Sequence, residues 1–355
     1  MNARILILHG YSAENAGDGL LVRETLDIVR EAAGEDAAIT LLASRPETFD
    51  DLNVTAFPTV PTRQGWDART RRVLRRIDEY DLVVAVGGGY LRAGTVTEAL
   101  KTALVHGPQL YAAAKTSVPT VYLPQSIGPA RYGTAPIFRR ALRKLDSVMA
   151  RDDRTIDEVG GPSVSRWPDL ATAGVVGGRQ PGAEVHPVPV VSIRAVHGKI
   201  NPDIYELAHG LSAYDGYVQS TVGGNDDRPA AATLAPREML RRDVLMTPGG
   251  QPRVVIAVRL HAALMALAAG HYVVHLAYER KGFGAFGDLG LDDWVHRVNH
   301  FDVATVRDQV ERLLTEPSVR ADYDLRIADA RQHIIEARER IVRTLRVSLT
   351  GKTRA

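Results

Sequence analysis

The feature that most constrains this chain is the regular return of short, unbroken apolar runs, each followed by a longer amphipathic stretch. Ile5–Leu8, Ile39–Ala43, Leu82–Val86, Thr120–Leu123 and Ser147–Ala150 are strand candidates. The stretches between them, Gly19–Ala32, Asp67–Ile77, Thr97–Lys115 and Ala135–Lys144, read as helices. The first of these carries apolar residues at Leu20, Leu21, Leu26 and Val29. A strand of continuous Val, Ile and Leu is buried on both faces, which requires a parallel sheet covered by helices. The pattern restarts with Val188–Ile193, a helix near Pro202–Leu211 and Tyr217–Ser220, then Val254–Val258, Leu260–Ala269 and Tyr272–Ala277. From Val303 to Val347 the reading is a mixed-charge, solvated helix pair closing the second domain. This is a βαβ chain throughout.

With 355 residues there is room for two domains of roughly 100–200 residues each. Gly174 to Pro189, rich in Gly and Pro and without periodicity, is the expected linker. The expected organisation is an α/β domain over residues 1–178 and a second over 186–355 that includes the C-terminal helices. Two Rossmann-like parallel-sheet domains of this kind are expected to face a cleft lined by the carboxyl ends of their strands, where ligands bind. Lys and Arg number 44 against 42 Asp and Glu, a net charge of +2, which argues against a nucleic-acid binder relying on bulk charge. The absence of cysteine excludes disulfides, thiolate nucleophiles and Cys-ligated zinc. The 11 histidines show no H-E-x-x-H spacing, and no metal is expected. Ile5–Leu8 is shorter than the apolar core of a signal peptide, about 7–15 residues, and no run approaches the ~20 of a membrane span. A cytoplasmic location is the expectation.

Six loops at strand ends carry the chemistry-bearing residues. In His9–Gly19, Asn15 and Asp18 stand at a helix start, suited either to capping it or to binding an anion or a hydroxyl-rich ligand. Val86–Leu91 holds three glycines, among them Gly88 and Gly89, which permit close approach by a ligand or by another part of the protein. It is not G-x-G-x-x-G, and no P-loop occurs, so dinucleotide and P-loop sites fit poorly. Leu123–Pro129 places Gln125 and Ser126 where they either meet ligand hydroxyls or satisfy each other in a rigid turn. In Ala150–Thr155, Arg151 closes a strand and either binds a ligand or pairs with Asp152 or Asp153. In Val258–Gly270, Arg259 and His261 stand at the mouth of an almost wholly apolar helix. Burying a guanidinium unpaired is expensive, so a partner is required, and a phosphate or carboxylate at the helix start fits both side chains. After the next strand, Tyr278–Phe283 brings Lys281, either a further charge for the same pocket or part of a solvated turn.

Taken in order, NAGD, GGGYL, LPQSIGP, ARDD, Pro168–Asp169–Leu170, VRLHAALMALAAG and YERKGF resemble the polysaccharide pyruvyl transferase family over roughly residues 4 to 290. The region 195 to 252, with inserts at Gly223–Pro229 and Thr247–Pro252, is the least similar. The resemblance implies a fold similar to GT-B glycosyltransferases. It also implies transfer of pyruvate from phosphoenolpyruvate to two hydroxyls of a sugar, forming a cyclic ketal and releasing phosphate. It carries the Arg-Leu-His donor motif onto Arg259, Leu260 and His261, and implies further donor arginines, with Arg151 and Arg194 as candidates and Lys281 beside them. The 1–178 domain then takes the acceptor, with Asn15, Asp18, Gly88, Gly89, Gln125 and Ser126 as cleft residues.

The chemistry of such a reaction suits these residue types. Phosphoenolpyruvate carries a phosphate and a carboxylate and needs at least two strong cationic donors. A proton must reach the methylene carbon and another the departing phosphate, work suited to the imidazole of His261, while Arg259 holds the anion. The expected partners are phosphoenolpyruvate and a sugar or glycan acceptor, free, polymeric or lipid-linked, in cell-envelope polysaccharide synthesis. Arginines from Arg338 to Arg354 either touch an anionic membrane face or form a solvated terminus. The rival readings are a GT-B-type glycosyltransferase or sugar-nucleotide epimerase, whose Arg259 and His261 would grip a diphosphate, and a non-catalytic carbohydrate binder.

Overall fold

The computed structural model describes residues 2–179, 184–196, 198–221 and 226–351. Seven strands form the first sheet: β1 (Arg4–Gly10), β2 (Ala38–Ala43), β3 (Thr55–Pro58), β4 (Leu82–Ala85), β5 (Thr120–Gln125), β6 (Ser147–Ala150) and β7 (Val164–Arg166). Their order is β3-β2-β1-β4-β5-β6-β7 and every pairing is parallel. Six more form the second: β8 (Val190–Ser192), β9 (Asp215–Tyr217), β10 (Met239–Leu240), β11 (Val254–Ala257), β12 (Tyr272–Ala277) and β13 (Val295–Arg297). Their order, β10-β9-β8-β11-β12-β13, is again parallel throughout.

Both sheets reverse their winding once, between β1 and β4 in the first and between β8 and β11 in the second. Crevices beyond the carboxyl ends of the strands at such a reversal are where doubly wound sheets bind ligands. The continuous apolar runs are buried as their composition requires: Ile5–Leu8, Leu82–Ala85 and Val254–Ala257 are almost wholly inaccessible to solvent.

The chain divides into two compact units. One holds the residues up to Ala13, Gly17–Leu170 and everything from Ala337; the other holds Glu14–Ala16 and Ala171–Glu336. The N-terminal part of the expected linker is helical, lying within the helix Ala171–Gly178, while residues 180–183 lie outside the described residues. The expected C-terminal helix pair is present as Val303–Thr315 and Pro317–Gly351. The second of these is not solvated along its whole length. Ile341, Val342 and Leu345 repeat at helical spacing and are buried in the first unit's core with Ile5, Ile7, Leu26 and Val29. Some of its arginines have partners within the first unit: Arg338 binds Glu31 at 2.7 Å, Arg346 donates to the Glu31 carbonyl and Arg340 covers the Trp167 ring. Arg354 lies outside the described residues. Among the described residues no helix is long and apolar enough to cross a membrane.

Candidate functional site

In the second unit, three neighbouring strands of the sheet order, β8, β11 and β12, end in cationic loops. Arg194 follows β8 by two residues, Arg259 follows β11 by two, and Lys281 lies in the first turn of the helix Arg280–Asp288 that follows β12. Tyr278 joins the outer two. Arg194 donates to its hydroxyl at 2.9 Å and stacks over its ring, and the Lys281 ammonium also lies over that ring, 6.0 Å from its centroid. Lys281 also pairs with Glu279 at 2.8 Å. Gly282 allows this arrangement, because a Cβ there would lie 2.5 Å from His275 and 2.8 Å from Ala277, so only glycine lets the helix sit this close to β12.

Arg259 is nearly buried, and its partner is a residue the sequence did not single out. Its Nε and Nη2 donate to the two carboxylate oxygens of Asp227 at 2.6 and 2.7 Å, a bidentate fork. Burial pushes the Asp227 carboxyl up despite the opposing pull of Arg259 and Arg194. The anion demanded by a buried guanidinium is therefore supplied by the protein itself, and the arginine is locked in one orientation. Leu260 is a buried apolar side chain and His261 is half-buried, one residue further along the helix Leu260–Ala268. The amide groups of that helix's first turn point toward the same strand ends and favour an anion. His275 donates from Nδ1 to the Ala257 carbonyl and is pushed down to about 4 by burial, so it is a neutral packing group.

In the first unit, Gly87–Gly89, Gln125, Ser126 and Arg151 follow or end β4, β5 and β6, again adjacent strands. Arg151 is fully buried. It does not pair with Asp152 or Asp153; Nη1 donates to Asp169 at 2.6 Å and Nε to the Ser126 hydroxyl at 2.9 Å. Ser126 donates in turn to Asp152, whose other oxygen caps the helix Asp153–Val159 through Thr155. A Cβ on Gly89 would lie 3.4 Å from Nη2 of Arg151, so the glycine leaves that nitrogen reachable. Gln125 is completely buried, yet neither its Oε1 nor its Nε2 has a partner among the described residues, and the buried Tyr90 hydroxyl is in the same condition. Both side chains flank Gly88: its backbone bridges Gln125, and the Tyr90 ring lies against it. Orphaned buried polar groups cost about 1–3 kcal/mol each, and hydroxyls of a ligand would satisfy them.

A cluster missed by sequence reasoning floors this loop. His9, in the left-handed region at φ 67°, stacks on Tyr90 at 4.3 Å between ring centroids. Its ring nitrogens meet His106 at 3.2 Å and Tyr122 at 3.0 Å, and its amide donates to Gln109. His106 ends a π-helical turn, Thr102–His106, within the stretch expected as one regular helix. Burial pushes His106 down to about 3 and His9 well below its usual range, so the cluster is neutral. Of the remaining expected residues, Asn15 is grouped with the second unit and Asp18 lies in the first turn of the helix Ala16–Ala33. Arg151 and the acceptor candidates Gly88, Gly89, Gln125 and Ser126 thus belong to the first unit, and Arg194, Arg259, His261 and Lys281 to the second.

Two parallel α/β sheets of this topology give the chain a GT-B-type fold. Solved structures match nearly the whole chain. A putative UDP-N-acetylglucosamine 2-epimerase from Listeria monocytogenes is 12% identical over 98% of this chain and 96% of that one, TM-score 0.56. A glycosyltransferase from Rickettsia africae ESF-5 is 9% identical over 99% of both chains, TM-score 0.57. At that identity the likeness shows the fold. Within the class, the chain belongs to the polysaccharide pyruvyl transferase family, which it matches over residues 15–232. Arg259, His261 and Lys281 lie beyond that span. No curated protein matches the chain.

Proposed function

We propose that this protein transfers pyruvate from phosphoenolpyruvate to two hydroxyls of a sugar in a glycan or glycan precursor, with phosphoenolpyruvate bound by the second unit. The observation that carries the reading is the convergence of Arg194, Arg259 and Lys281 on the carboxyl ends of β8, β11 and β12. A ligand with a phosphate and a carboxylate matches this group, and Asp227 keeps the Arg259 fork aligned for it. Arg151 presents Nη2 at Gly89 in the first unit and serves a carboxylate or hydroxyl there.

In the reaction a proton adds to the methylene carbon of phosphoenolpyruvate while a sugar hydroxyl attacks C2 and gives up its own proton. The second hydroxyl then attacks C2, the C2–O bond to phosphate breaks, and the second hydroxyl proton leaves with phosphate. His261 is the group proposed to move these protons, and Arg259 to hold the charge that gathers on phosphate. Gln125 and Tyr90 are proposed to receive acceptor hydroxyls, with Gly88 and Gly89 giving the sugar room.

The test is thermal stability of the purified protein with phosphoenolpyruvate or with a panel of nucleotide sugars. Phosphoenolpyruvate at about 100 times its Kd should stabilise by about 2.7 kcal/mol, and Arg194→Ala and Lys281→Ala should reduce the shift. Stabilisation by a nucleotide sugar, with none by phosphoenolpyruvate, would replace this reading with a glycosyltransferase or epimerase.

A further inference from the structure

We propose that the first unit carries a docking face for an anionic phospholipid bilayer. The helical stretch Val96–Lys101, Thr102–His106 and Gly107–Ala113 packs beside the helix Thr134–Leu142 and leaves an apolar cavity of about 530 Å³ between them. Leu91, Leu110 and Phe138 form part of its lining, and Tyr111 and Ile137 stand at its mouth with 61% and 63% of their surface exposed. Val96, Leu100 and Leu104, four residues apart on the same stretch, are exposed as well. A row of large apolar side chains in water beside an open apolar cavity marks a contact surface rather than a solvated face.

The charge around this surface selects its occupant. Lys115, Arg140 and Lys144 line the cavity, and none has a carboxylate partner among the described residues. Lys115 lies over the exposed Tyr111 ring at 4.4 Å. From Leu82 to Leu145 the sequence holds eight Lys and Arg and a single carboxylate, Glu98, a local charge of +7 in a chain whose total is +2. Glu98 is itself committed to a capping box with Thr95 and to Arg92 at 3.4 Å. Exposed apolar side chains inside a fence of long unpaired cations match an interface whose outer layer is negative and whose interior is hydrocarbon. The cavity has room for the end of an acyl chain, and the cations reach the phosphate layer.

Co-sedimentation with vesicles tests this. Vesicles of phosphatidylcholine with one quarter phosphatidylglycerol should retain the protein at least ~10-fold better than phosphatidylcholine alone, and raising salt from about 0.05 to about 0.5 M should remove the difference. Each cation near an anionic surface contributes on the order of five-fold in partitioning. The triple variant Lys115→Glu, Arg140→Glu, Lys144→Glu should therefore lose at least ~100-fold, and Ile137→Asp about ten-fold. All four positions are exposed, so unchanged melting temperatures serve as the control for folding. No preference for the anionic vesicles, or undiminished binding by the triple variant, overturns the proposal. So does a concentration-dependent dimer in light scattering that Ile137→Asp dissolves, because the face would then be covered by a second copy of the chain.

Discussion

The pair formed by Asp227 and Arg259 can be broken from either side, and the two breaks should behave differently. Both side chains are nearly excluded from solvent and meet through two hydrogen bonds of 2.6 and 2.7 Å. Removing one partner of such a pair leaves the other buried and uncompensated, at a cost of about 3–5 kcal/mol. In a unit of this size that lowers the melting temperature by about 6–20 °C. After Asp227→Asn the guanidinium has lost this carboxylate and cannot shed its charge at any accessible pH. The deficit relative to wild type should then persist at pH 5 as well as at pH 8, and an added anion should relieve it. After Arg259→Met the orphan is a carboxyl already pushed up by burial, which can take a proton. Its folded-state affinity for protons then exceeds that of the unfolded chain, so stability is retained at low pH and lost as pH rises through the folded-state value. The deficit of Arg259→Met should therefore shrink on going from pH 8 to pH 5, and phosphate should not help. Differential scanning fluorimetry at both pH values, with and without phosphoenolpyruvate or inorganic phosphate, reads all of this. If Asp227→Asn gains no more from these anions than wild type does, the guanidinium does not face the donor site and the assignment of Arg259 fails.

Gln125→Met removes two buried polar atoms that have no partner among the described residues, so the melting temperature should hold or rise slightly while ketal formation drops at least ten-fold through acceptor KM; a variant with wild-type kinetics places the acceptor elsewhere. Four buried histidines, His9, His106, His271 and His275, are held neutral by the fold, the last three at about 3, 4 and 4. The unfolded chain binds protons near pH 6.5 where the folded one does not, so stability falls as pH drops below that value, by about 2 kcal/mol per histidine at pH 5. Urea titrations at pH 7 and pH 5 measure the difference, and equal midpoints would contradict the burial. Leu345→Ala should cost the first unit about 2–5 kcal/mol, because its side chain is fully buried in that core; a loss within error would mean that the end of the long helix is dispensable.

Which strands were legible follows from where they lie in the sheets. Ser147–Ala150 and Tyr272–Ala277 were read to the residue, and the other interior strands within a few positions. The four strands not anticipated, β3, β7, β10 and β13, are the four sheet edges. An edge strand is open on one side, needs no continuous apolar run and leaves little trace in hydropathy. β9 was displaced for a related reason. Its first residue, Asp215, is completely buried because Arg253 and Arg237 pair with it from distant segments, which no local pattern announces.

The same distinction separates the site residues that were read from those that were not. Gln125, Arg151, Arg194, Arg259 and Lys281 follow or end interior strands, and in a doubly wound sheet that position alone brings them to a ligand-binding edge. What position cannot supply is the partner. Asp227 reaches Arg259 from 32 residues away, Asp169 reaches Arg151 from 18, and His106 reaches His9 from 97. These second residues set the orientation and charge of the first; His106 and Asp227 lie in segments whose own pattern is ordinary, and Asp169, although part of a family-like segment, carries no local sign that it pairs with Arg151. Asp227 is the sharpest case: it lies in the 195–252 region, where the sequence carries none of the quoted motifs, yet inside the span that matches the family, and it holds an arginine that lies beyond that span. The orientation of Arg259 therefore depends on a segment far from its own loop, and a substitution at Asp227 should act on that arginine as directly as one in the loop itself.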